Sequence, residues 1–201
     1  MSLNIVGVMC DMNKIIGIVG SPRVDGNTEY LVKAALTEAK NENEFETEII
    51  RLAGKKINPC TACLACKDEK RCIIEDDFDP IFKKMVAADG IVIGSPVYFG
   101  SATPEIKSLI DRAGYVSVYS GRLFENKVGG PVVVARRAGQ NFTFAQLLFF
   151  FLHQGMIVPG STYWNIGFGR EKGKVKEDVE GIATARNFGK KMVWIINKLK
   201  A

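Results

Sequence analysis

The sequence predicts an α/β protein built on a doubly wound parallel sheet of five strands. Two patterns lead to this prediction: apolar strand-like runs alternate with helical segments, and a proline follows a capping residue at the start of two helices. The chain has 201 residues, of which 47% are hydrophobic and 24% are charged. This size and composition suit one globular domain, so we expect residues 1–201 to form a single domain.

Five segments have the apolar, Val- and Ile-rich composition of buried parallel strands. In chain order they are Lys14–Gly20, Phe45–Leu52, Ile91–Ser95, Pro131–Arg136 and a strand that begins at Met156–Val158. Five strands with intervening helices match the flavodoxin-like order 2-1-3-4-5. Another short apolar run, Ile5–Cys10, precedes the first strand. It is either an added edge strand or an artefact, and the sequence leaves this open.

The helices predicted between and after these strands are Thr28–Lys40, Pro80–Ala88, Pro104–Arg112, Asn141–Gln154 and Asp178–Lys198. Asp79 and Thr103 each stand directly before a proline, so each is the expected N-cap of a helix that begins with that proline. The segment Phe142–Leu152 is apolar on more than one helical face. It lies either in a subunit interface or inside one domain.

The charge and the apolar runs narrow the classes of function. The net charge is +5, but the basic residues are spread along the chain and do not alternate with aromatic residues. We therefore predict no nucleic-acid site and attribute the positive charge to anionic ligands. No apolar run approaches the roughly 20 residues that span a bilayer, and the N-terminus lacks the order of a signal peptide. We expect a cytoplasmic protein without membrane contact.

A polar loop follows the first predicted strand and reads G-S-P-R-V-D-G-N-T at residues 20–28. A loop between a strand and a helix presents backbone N–H groups and the helix dipole to an anion. Ser21, Asn27 and Thr28 add hydroxyl and amide donors, and Arg23 adds a guanidinium, so we predict a phosphate site. The loop matches neither the dinucleotide fingerprint nor the P-loop. The alternative is an ordinary polar turn in which Asn27 caps the helix.

Two further loops follow the third and fourth strands, at the edge of the sheet where ligands of open α/β sheets bind. Proline and glycine in the first loop shape a turn whose backbone can approach a flat ring, and its two aromatic residues can stack on one. Alternatively, both aromatic residues belong to the core. The second loop faces the same crevice. The predicted contacts are Pro96, Val97, Tyr98, Phe99, Gly100, Ala135, Arg136 and Gly139.

Four of the five cysteines lie within thirteen positions of the long segment Ala53–Asp79. Cys60, Cys63, Cys66 and Cys72 have the spacing C-x2-C-x2-C-x5-C, in which a compact triplet and one nearby cysteine suit a single iron–sulfur cluster. A Rieske centre needs two histidines, and the chain has one. Zinc, no metal, and a thioredoxin-like dithiol of Cys63 and Cys66 stay open as alternatives.

The loop at residues 20–28 resembles the G-S-P-R-x-x-G-N-T loop of the NADPH-dependent FMN reductase group. The cysteine spacing, followed by Ile73–Asp77 and later Ala88–Gly90, resembles the iron–sulfur flavoprotein family, and the likeness runs from about Lys14 to the C-terminus. This resemblance implies one FMN per chain, with its phosphate at residues 21–28 and its isoalloxazine against the S-P-V-Y segment. It also implies a 4Fe–4S cluster on the four cysteines, and a homodimer or homotetramer.

These observations predict an electron-transfer protein that links a one-electron carrier such as ferredoxin, the cluster and FMN. NAD(P)H is a further expected partner, because it can stack on the flavin without a motif of its own. We assign no catalytic side chain, since the chemistry belongs to the cofactors. Two alternatives stay open: a flavin-dependent NAD(P)H oxidoreductase acting on quinones or free flavin without a functional cluster, and a redox sensor with a labile cluster.

Overall fold

The computed structural model describes residues 12–42 and 44–201. Five strands form one parallel sheet in the order β2-β1-β3-β4-β5, which confirms the predicted flavodoxin-like topology. The strands are β1 (Asn13–Val19), β2 (Phe45–Arg51), β3 (Gly90–Pro96), β4 (Val128–Ala135) and β5 (Ile166–Phe168). The segment Ile5–Cys10 lies outside the described residues, so its prediction stays untested.

Helices connect the strands and cover both faces of the sheet. They are α1 (Asn27–Ala35), α2 (Thr37–Asn41), α3 (Cys66–Glu69), α4 (Phe78–Ala87), α5 (Pro104–Tyr119), α6 (Gln140–His153), a 3-10 helix (Lys174–Glu177) and α7 (Val179–Lys200). Within residues 12–42 and 44–201, none of these helices combines the length and the apolar character needed to cross a bilayer.

Two apolar cores lie on opposite faces of the sheet, because successive strand residues point to opposite sides. Ile16 of β1 packs in the core formed with α4, α5 and α6, whereas Ile15 packs in the core formed with α1 and α7. Helices α1 and α7 approach each other closely at Gly189. A Cβ atom on this glycine would stand 1.8 Å from the Ala35 carbonyl oxygen, so only glycine fits there.

The fifth strand lies later in the chain than predicted. Only Ile157 of the predicted start, Met156–Val158, pairs with β4, through a single bridge. The next residue of β4 that could donate to this neighbour is Pro131, and proline has no N–H. Pairing resumes two residues further along β4, where the Val133 N–H donates to the Asn165 carbonyl. The intervening chain therefore leaves the sheet, and β5 forms only after it returns.

Some helix starts also differ from the prediction. The first predicted helix is divided into α1 and α2. Helix α4 begins two residues early, because the Asp76 carboxylate accepts the Phe78 N–H (3.0 Å), and Asp79 lies inside the helix. Helix α5 begins behind Thr103 as predicted. The Thr103 hydroxyl, however, donates to the Gly20 carbonyl (2.9 Å) and so links α5 to the loop after β1.

The Phe-rich helix α6 is apolar on both its buried and its exposed sides. Its buried members are Leu147, Phe150 and Phe151, and its exposed members are Phe142, Phe149 and Leu152. Part of the segment therefore packs inside the protein, as one of the two alternatives states. A subunit interface on the exposed side stays a prediction.

Candidate functional site

A crevice of about 280 Å3 opens at the carboxyl edge of the sheet, between the loops that follow β1, β3, β4 and β5. This is the edge where ligands of open α/β sheets bind. The predicted contacts that line the crevice are Ser21, Arg23, Asn27, Thr28, Pro96, Val97, Tyr98 and Arg136. The sequence did not predict the contribution of the loop after β5, which supplies Gly169, Arg170 and Lys172.

The other predicted contacts flank the crevice. Phe99 and Gly100 form the tip of a tight turn, with φ values of 50° and 79°, closed by hydrogen bonds between Tyr98 and Ser101. Positive φ at both central residues is the pattern of a type I′ turn. The exposed fraction is 110% for Phe99 and 44% for Tyr98, so neither aromatic residue belongs to the core. A Cβ on Gly139 would stand 3.3 Å from the Gly100 Cα, so the second loop packs directly behind this turn.

Ala135 is the buried last residue of β4. Its carbonyl accepts the N–H of Gly169 (2.9 Å), which ties the loop after β5 to the end of β4. Ala135 is absent from the lining of the crevice. Its contribution is therefore to place the loop that carries Arg170 and Lys172, rather than to present a side chain.

The loop after β1 presents hydrogen-bond donors to the crevice. Helix α1 begins at Asn27, and the first N–H groups of a helix have no acceptor within the helix. The Ser21 oxygen accepts the Arg23 N–H (3.2 Å), which leaves the proton of the hydroxyl for another acceptor. Ser21 and Thr28 are both buried beneath the crevice. These donors, together with the positive end of the helix dipole, suit an anion.

Four cationic side chains border the crevice: Arg23, Arg136, Arg170 and Lys172. Arg23 also donates to the Arg170 carbonyl (3.2 Å), so the first and last loops of the site contact each other. Glu171 pairs with Arg170 at the exposed rim (3.4 Å). The excess of positive charge favours a phosphate-bearing ligand over a neutral one.

Asn27 has a different role from the one predicted. Its Nδ2 donates to the carbonyls of Gly169 (3.0 Å) and Glu171 (2.8 Å), and its Oδ1 accepts the Gly173 N–H (2.8 Å). Both amide protons are engaged, so this side chain does not donate to a phosphate. The N-cap alternative is also wrong, because Gly26 is the N-cap. Asn27 instead holds the loop after β5 against the loop after β1.

Glu29 anchors the first turn of α1 from behind the crevice, a role that the sequence did not predict. Its side chain is 1% exposed and accepts hydrogen bonds from Arg51, Lys33 and the Asp25 N–H. The hydrogen bonds from Arg51 and then Lys33 outweigh the effect of burial and lower the pKa of Glu29 to about 2. The i,i+4 spacing of Glu29 and Lys33 was the available signal.

The four cysteines line one pocket between the cysteine loop and α5. The remaining lining residues are Thr61, Ala62, Leu64, Ile73, Ile74, Arg112, Tyr115 and Val116. Ala62 and Leu64, which separate the first three cysteines, have φ values of 53° and 59°. Such left-handed conformations cost roughly 1 kcal/mol each for a residue other than glycine. These two strained residues bend the chain so that Cys60, Cys63 and Cys66 all line the same pocket.

Arg112 of α5 is the buried centre of this loop, with an exposed fraction of 1%. Its Nε donates to Cys72 Sγ (3.3 Å), and its Nη1 donates to Asp76 (2.7 Å) and to the Asn58 carbonyl (3.1 Å). Its Nη2 donates to the Ile74 carbonyl (3.1 Å). One guanidinium therefore fixes both ends of the segment that carries the cysteines.

Asp76 is the buried counter-charge of Arg112. It also accepts the N–H groups of Asn58 (2.8 Å) and Phe78 (3.0 Å). Burial alone would raise the pKa of Asp76, but the hydrogen bonds from Arg112 and the two N–H groups outweigh it, and the pKa is lowered. The sequence did not predict this pair. The available signal was an arginine three residues after Leu109, on the apolar face of α5.

The residues of the pocket fit the ligand set of an iron–sulfur cluster. Four thiolate-forming side chains share apolar walls, and a buried cation donates to one of the sulfurs. These are the soft ligands and outer-shell hydrogen bonds that such clusters use. Among residues 12–42 and 44–201, no three His, Cys, Asp or Glu side chains are grouped so as to hold a single metal ion. The fit therefore rests on the chemistry of the donor set.

Two of the cysteines differ in acidity. Hydrogen bonds from the Ala65 N–H and the Thr61 hydroxyl lower the pKa of the exposed Cys63 thiol. Burial raises the pKa of the Cys66 thiol, and the neighbouring cysteines raise it further. Only the thiolate form binds metal, so the more exposed Cys63 is the easier of the two to deprotonate.

The fold and the crevice define a flavodoxin-like α/β protein with a cationic crevice at the carboxyl edge of its sheet. The NADPH-dependent FMN reductase family model matches residues 13–171. An iron-sulfur flavoprotein of Methanocaldococcus jannaschii is 46% identical over 194 residues, covering 93% of this chain and 99% of the relative. An iron-sulfur flavoprotein of Methanosarcina thermophila is 37% identical over 190 residues, covering 93% of this chain and 97% of the relative.

Among solved structures, the flavodoxin, WrbA-like protein from Agrobacterium tumefaciens has a TM-score of 0.63 at 16% identity. The match covers 93% of this chain and 98% of that chain, and it shows the fold alone. The chain belongs to the NADPH-dependent FMN reductase family and, within it, to the iron–sulfur flavoproteins. This membership supports flavin-dependent electron transfer.

Proposed function

We propose that the protein transfers electrons between a one-electron carrier such as ferredoxin, a 4Fe–4S cluster and FMN. The observation that carries the proposal is the presence of two cofactor-like sites on one chain, the cationic crevice and the four-cysteine pocket. The relatives named iron-sulfur flavoprotein support this combination. When bound, the cluster would supply single-electron chemistry, and the flavin would accept one or two electrons.

The crevice would hold FMN through distinct groups at its two ends. Ser21, Thr28 and the first N–H groups of α1 would bind the phosphate, with Arg23 neutralising its charge. The turn after β3 would line the isoalloxazine through Pro96, Val97 and Tyr98, with Phe99 and Gly100 at its tip. The loop after β4 would add Arg136, with Gly139 packed behind the turn. Asn27 and Ala135 act indirectly, because they hold the loop after β5 in place.

Helix α5 connects the two sites. It begins at Pro104, three residues after Ser101 closes the turn that follows β3, and Arg112 meets the cysteine loop eight residues later. Eight residues of helix correspond to roughly 12 Å along its axis. The helix therefore fixes the position of Cys60, Cys63, Cys66 and Cys72, the proposed cluster ligands, relative to the crevice.

A second candidate function is a flavin-dependent NAD(P)H oxidoreductase that acts on quinones or free flavin without using a cluster. The match to the NADPH-dependent FMN reductase family favours it, because that match spans residues 13–171. The cations Arg136 and Lys172 at the open crevice suit the phosphates of a nicotinamide cofactor as well as those of FMN. We also propose a homodimer or homotetramer, in which the exposed side of α6 contributes to the interface.

The test is to purify the protein without oxygen and to measure iron, acid-labile sulfide, zinc and FMN per chain. About four iron, four sulfide and one FMN are expected for the native chain. Cys63→Ala should lose most of the iron and keep FMN, whereas Cys10→Ala, which changes the cysteine outside the motif, should keep both. FMN with little iron, even after anaerobic reconstitution, would contradict the cluster. Rapid NADPH oxidation by Cys63→Ala would then favour the second function.

A further inference from the structure

We propose that Arg112 is a positioning residue for the ligand Cys72, and that its Nε–H raises the reduction potential of the bound cluster. This inference rests on the proposed function, because it presupposes a cluster on the four cysteines. It goes further in assigning one hydrogen bond of this chain to the electronic tuning of that cluster. No general base or nucleophile is involved, and no bond is made or broken.

The contact between the two side chains suits a thiolate rather than a thiol. The Arg112 Nε lies 3.3 Å from Cys72 Sγ and donates to it. A neutral thiol is a weak hydrogen-bond acceptor, whereas a thiolate accepts a strong, charge-assisted bond from a guanidinium. Arg112 is only 1% exposed, so solvent screens its charge poorly. The Nε–H is therefore aimed at the one atom of Cys72 that would bind the cluster, and the bond would strengthen when that sulfur is a ligand.

The remaining contacts of Arg112 fix the direction of its Nε–H. A guanidinium has five N–H groups, and the other hydrogen bonds go to Asp76 and to the carbonyls of Asn58 and Ile74. The guanidinium also lies 4.1 Å from the centre of the Phe78 ring. Rotating the side chain away from Cys72 would break several of these contacts together, so the bond to the sulfur is held in place by the fold.

The expected direction of the effect follows from the charge change on reduction. Reduction adds one electron to the cluster and makes its ligand sulfurs more negative. A fixed cationic donor stabilises the more negative state more strongly, and hydrogen bonds to the sulfurs are among the determinants of cluster potential. Removing the Nε–H of Arg112 should therefore lower the potential and leave the number of cluster ligands unchanged.

The experiment uses the double variant Arg112→Met/Asp76→Asn, because removing only one partner would leave a buried, unpaired charge. Iron, sulfide and FMN per chain are measured first, and the cluster is then titrated electrochemically with detection by electron paramagnetic resonance. We expect about four iron and a cluster reduction constant about tenfold less favourable, which is about 59 mV for one electron. The flavin potential should stay unchanged, which serves as an internal reference.

Arg71→Met is the matched control, since Arg71 is an exposed cation directly beside Cys72 in the sequence. Its cluster potential should stay close to that of the native protein. If the double variant does not fold, Arg112→Lys gives the result, because it keeps the charge and lacks the Nε–H. An unchanged potential in a loaded Arg112 variant would overturn the inference. A native protein without iron would instead overturn the proposed function.

Discussion

The Arg51 guanidinium at the end of β2 binds the Glu29 carboxylate of α1 through two hydrogen bonds, of 2.7 and 2.9 Å. Lys33 binds the same carboxylate at 2.6 Å. Glu29 lies in the first turn of the helix whose N–H groups face the crevice. The pair therefore fixes the first turn of α1 beside the crevice without entering the crevice itself.

Glu29 should make the stability of the protein depend on acid pH. Its pKa is about 2 in the folded protein, against an ordinary value of 4.5. A carboxyl group with a lowered pKa stabilises the fold fully above its ordinary pKa, and this contribution is lost as the pH falls toward 2. The difference between these two pKa values corresponds to about 3 kcal/mol in the free energy of unfolding. Other carboxyl groups with a lowered pKa, such as Asp76, add to the acid dependence. We therefore expect the free energy of unfolding, measured with urea, to decrease between pH 6 and pH 2 by about this amount more in the native protein than in Glu29→Gln.

Glu29→Gln provides the control for this pH dependence. It should lower the free energy of unfolding at pH 7 by up to about 3 kcal/mol, because the buried side chain loses the charge that accepts hydrogen bonds from Arg51 and Lys33. It should also flatten the acid slope. Glu42→Gln, at an exposed position, should change neither quantity. A native acid slope in Glu29→Gln would show that other carboxylates dominate the transition.

Asn27→Ala should weaken FMN binding at least tenfold. The substitution removes the hydrogen bonds to the carbonyls of Gly169 and Glu171 and to the Gly173 N–H, so the loop after β5 loses its tie to the crevice. The free energy of unfolding should fall by about 2 kcal/mol, since three partly buried hydrogen bonds to the backbone are lost together. Fluorescence titration of the flavin-free protein measures the affinity, and urea unfolding measures the stability.

Asn197→Ala is the matched control for Asn27, because Asn197 is an exposed residue near the end of α7. Native FMN affinity in Asn27→Ala, combined with lowered stability, would restrict Asn27 to a structural role.

Gly189→Ala should destabilise the fold by about 3 kcal/mol. The added methyl group would stand 1.8 Å from the Ala35 carbonyl oxygen, which is backbone and cannot rotate aside. Helices α1 and α7 would have to separate, and overpacking of this kind is costly. Gly160→Ala is the control, because no atom lies within 4 Å of its new Cβ. Thermal unfolding that is equal in the two variants would contradict the close packing of the helices.

Phe99→Asn should stabilise the protein by about 1 kcal/mol while it weakens FMN binding. Phe99 has a φ of 50°, a conformation that asparagine tolerates better than a bulky residue does. Its ring is fully exposed, so its removal leaves the core intact. Tyr163→Asn, which changes an exposed loop aromatic without positive φ, should not stabilise the fold. A loss of stability in Phe99→Asn would show that the ring packs against the protein.

Features with a local signal were predictable from the sequence. β1 and β2 lie within one residue of their predicted bounds, because apolar runs and flanking turn residues mark a strand without reference to the rest of the chain. The loops after β1, β3 and β4 that line the crevice were predictable for the same reason, since each directly follows a predicted strand. The loop after β5 was missed together with the correct position of β5 itself.

Features that depend on distant partners were not predictable. The position of β5 depends on Pro131, a residue of another strand that lacks the N–H needed for continuous pairing. The loop sequence alone predicts that Asn27 donates a hydrogen bond to a phosphate. Its actual hydrogen-bond partners lie more than 140 residues later in the chain. Arg112 reads as an ordinary helix residue, and only the fold brings it to Cys72, 40 residues earlier.

The Asn27 contacts also relate the crevice to the order of synthesis. The ribosome makes Asn27 142 residues before Gly169. At about 5–20 residues per second, this separation corresponds to roughly 7 to 28 s. A nascent chain that already carries the loop after β1 must therefore wait for the loop after β5 before the crevice can close. A flavin in the crevice would therefore meet all of its loops only in a chain whose last strand has emerged.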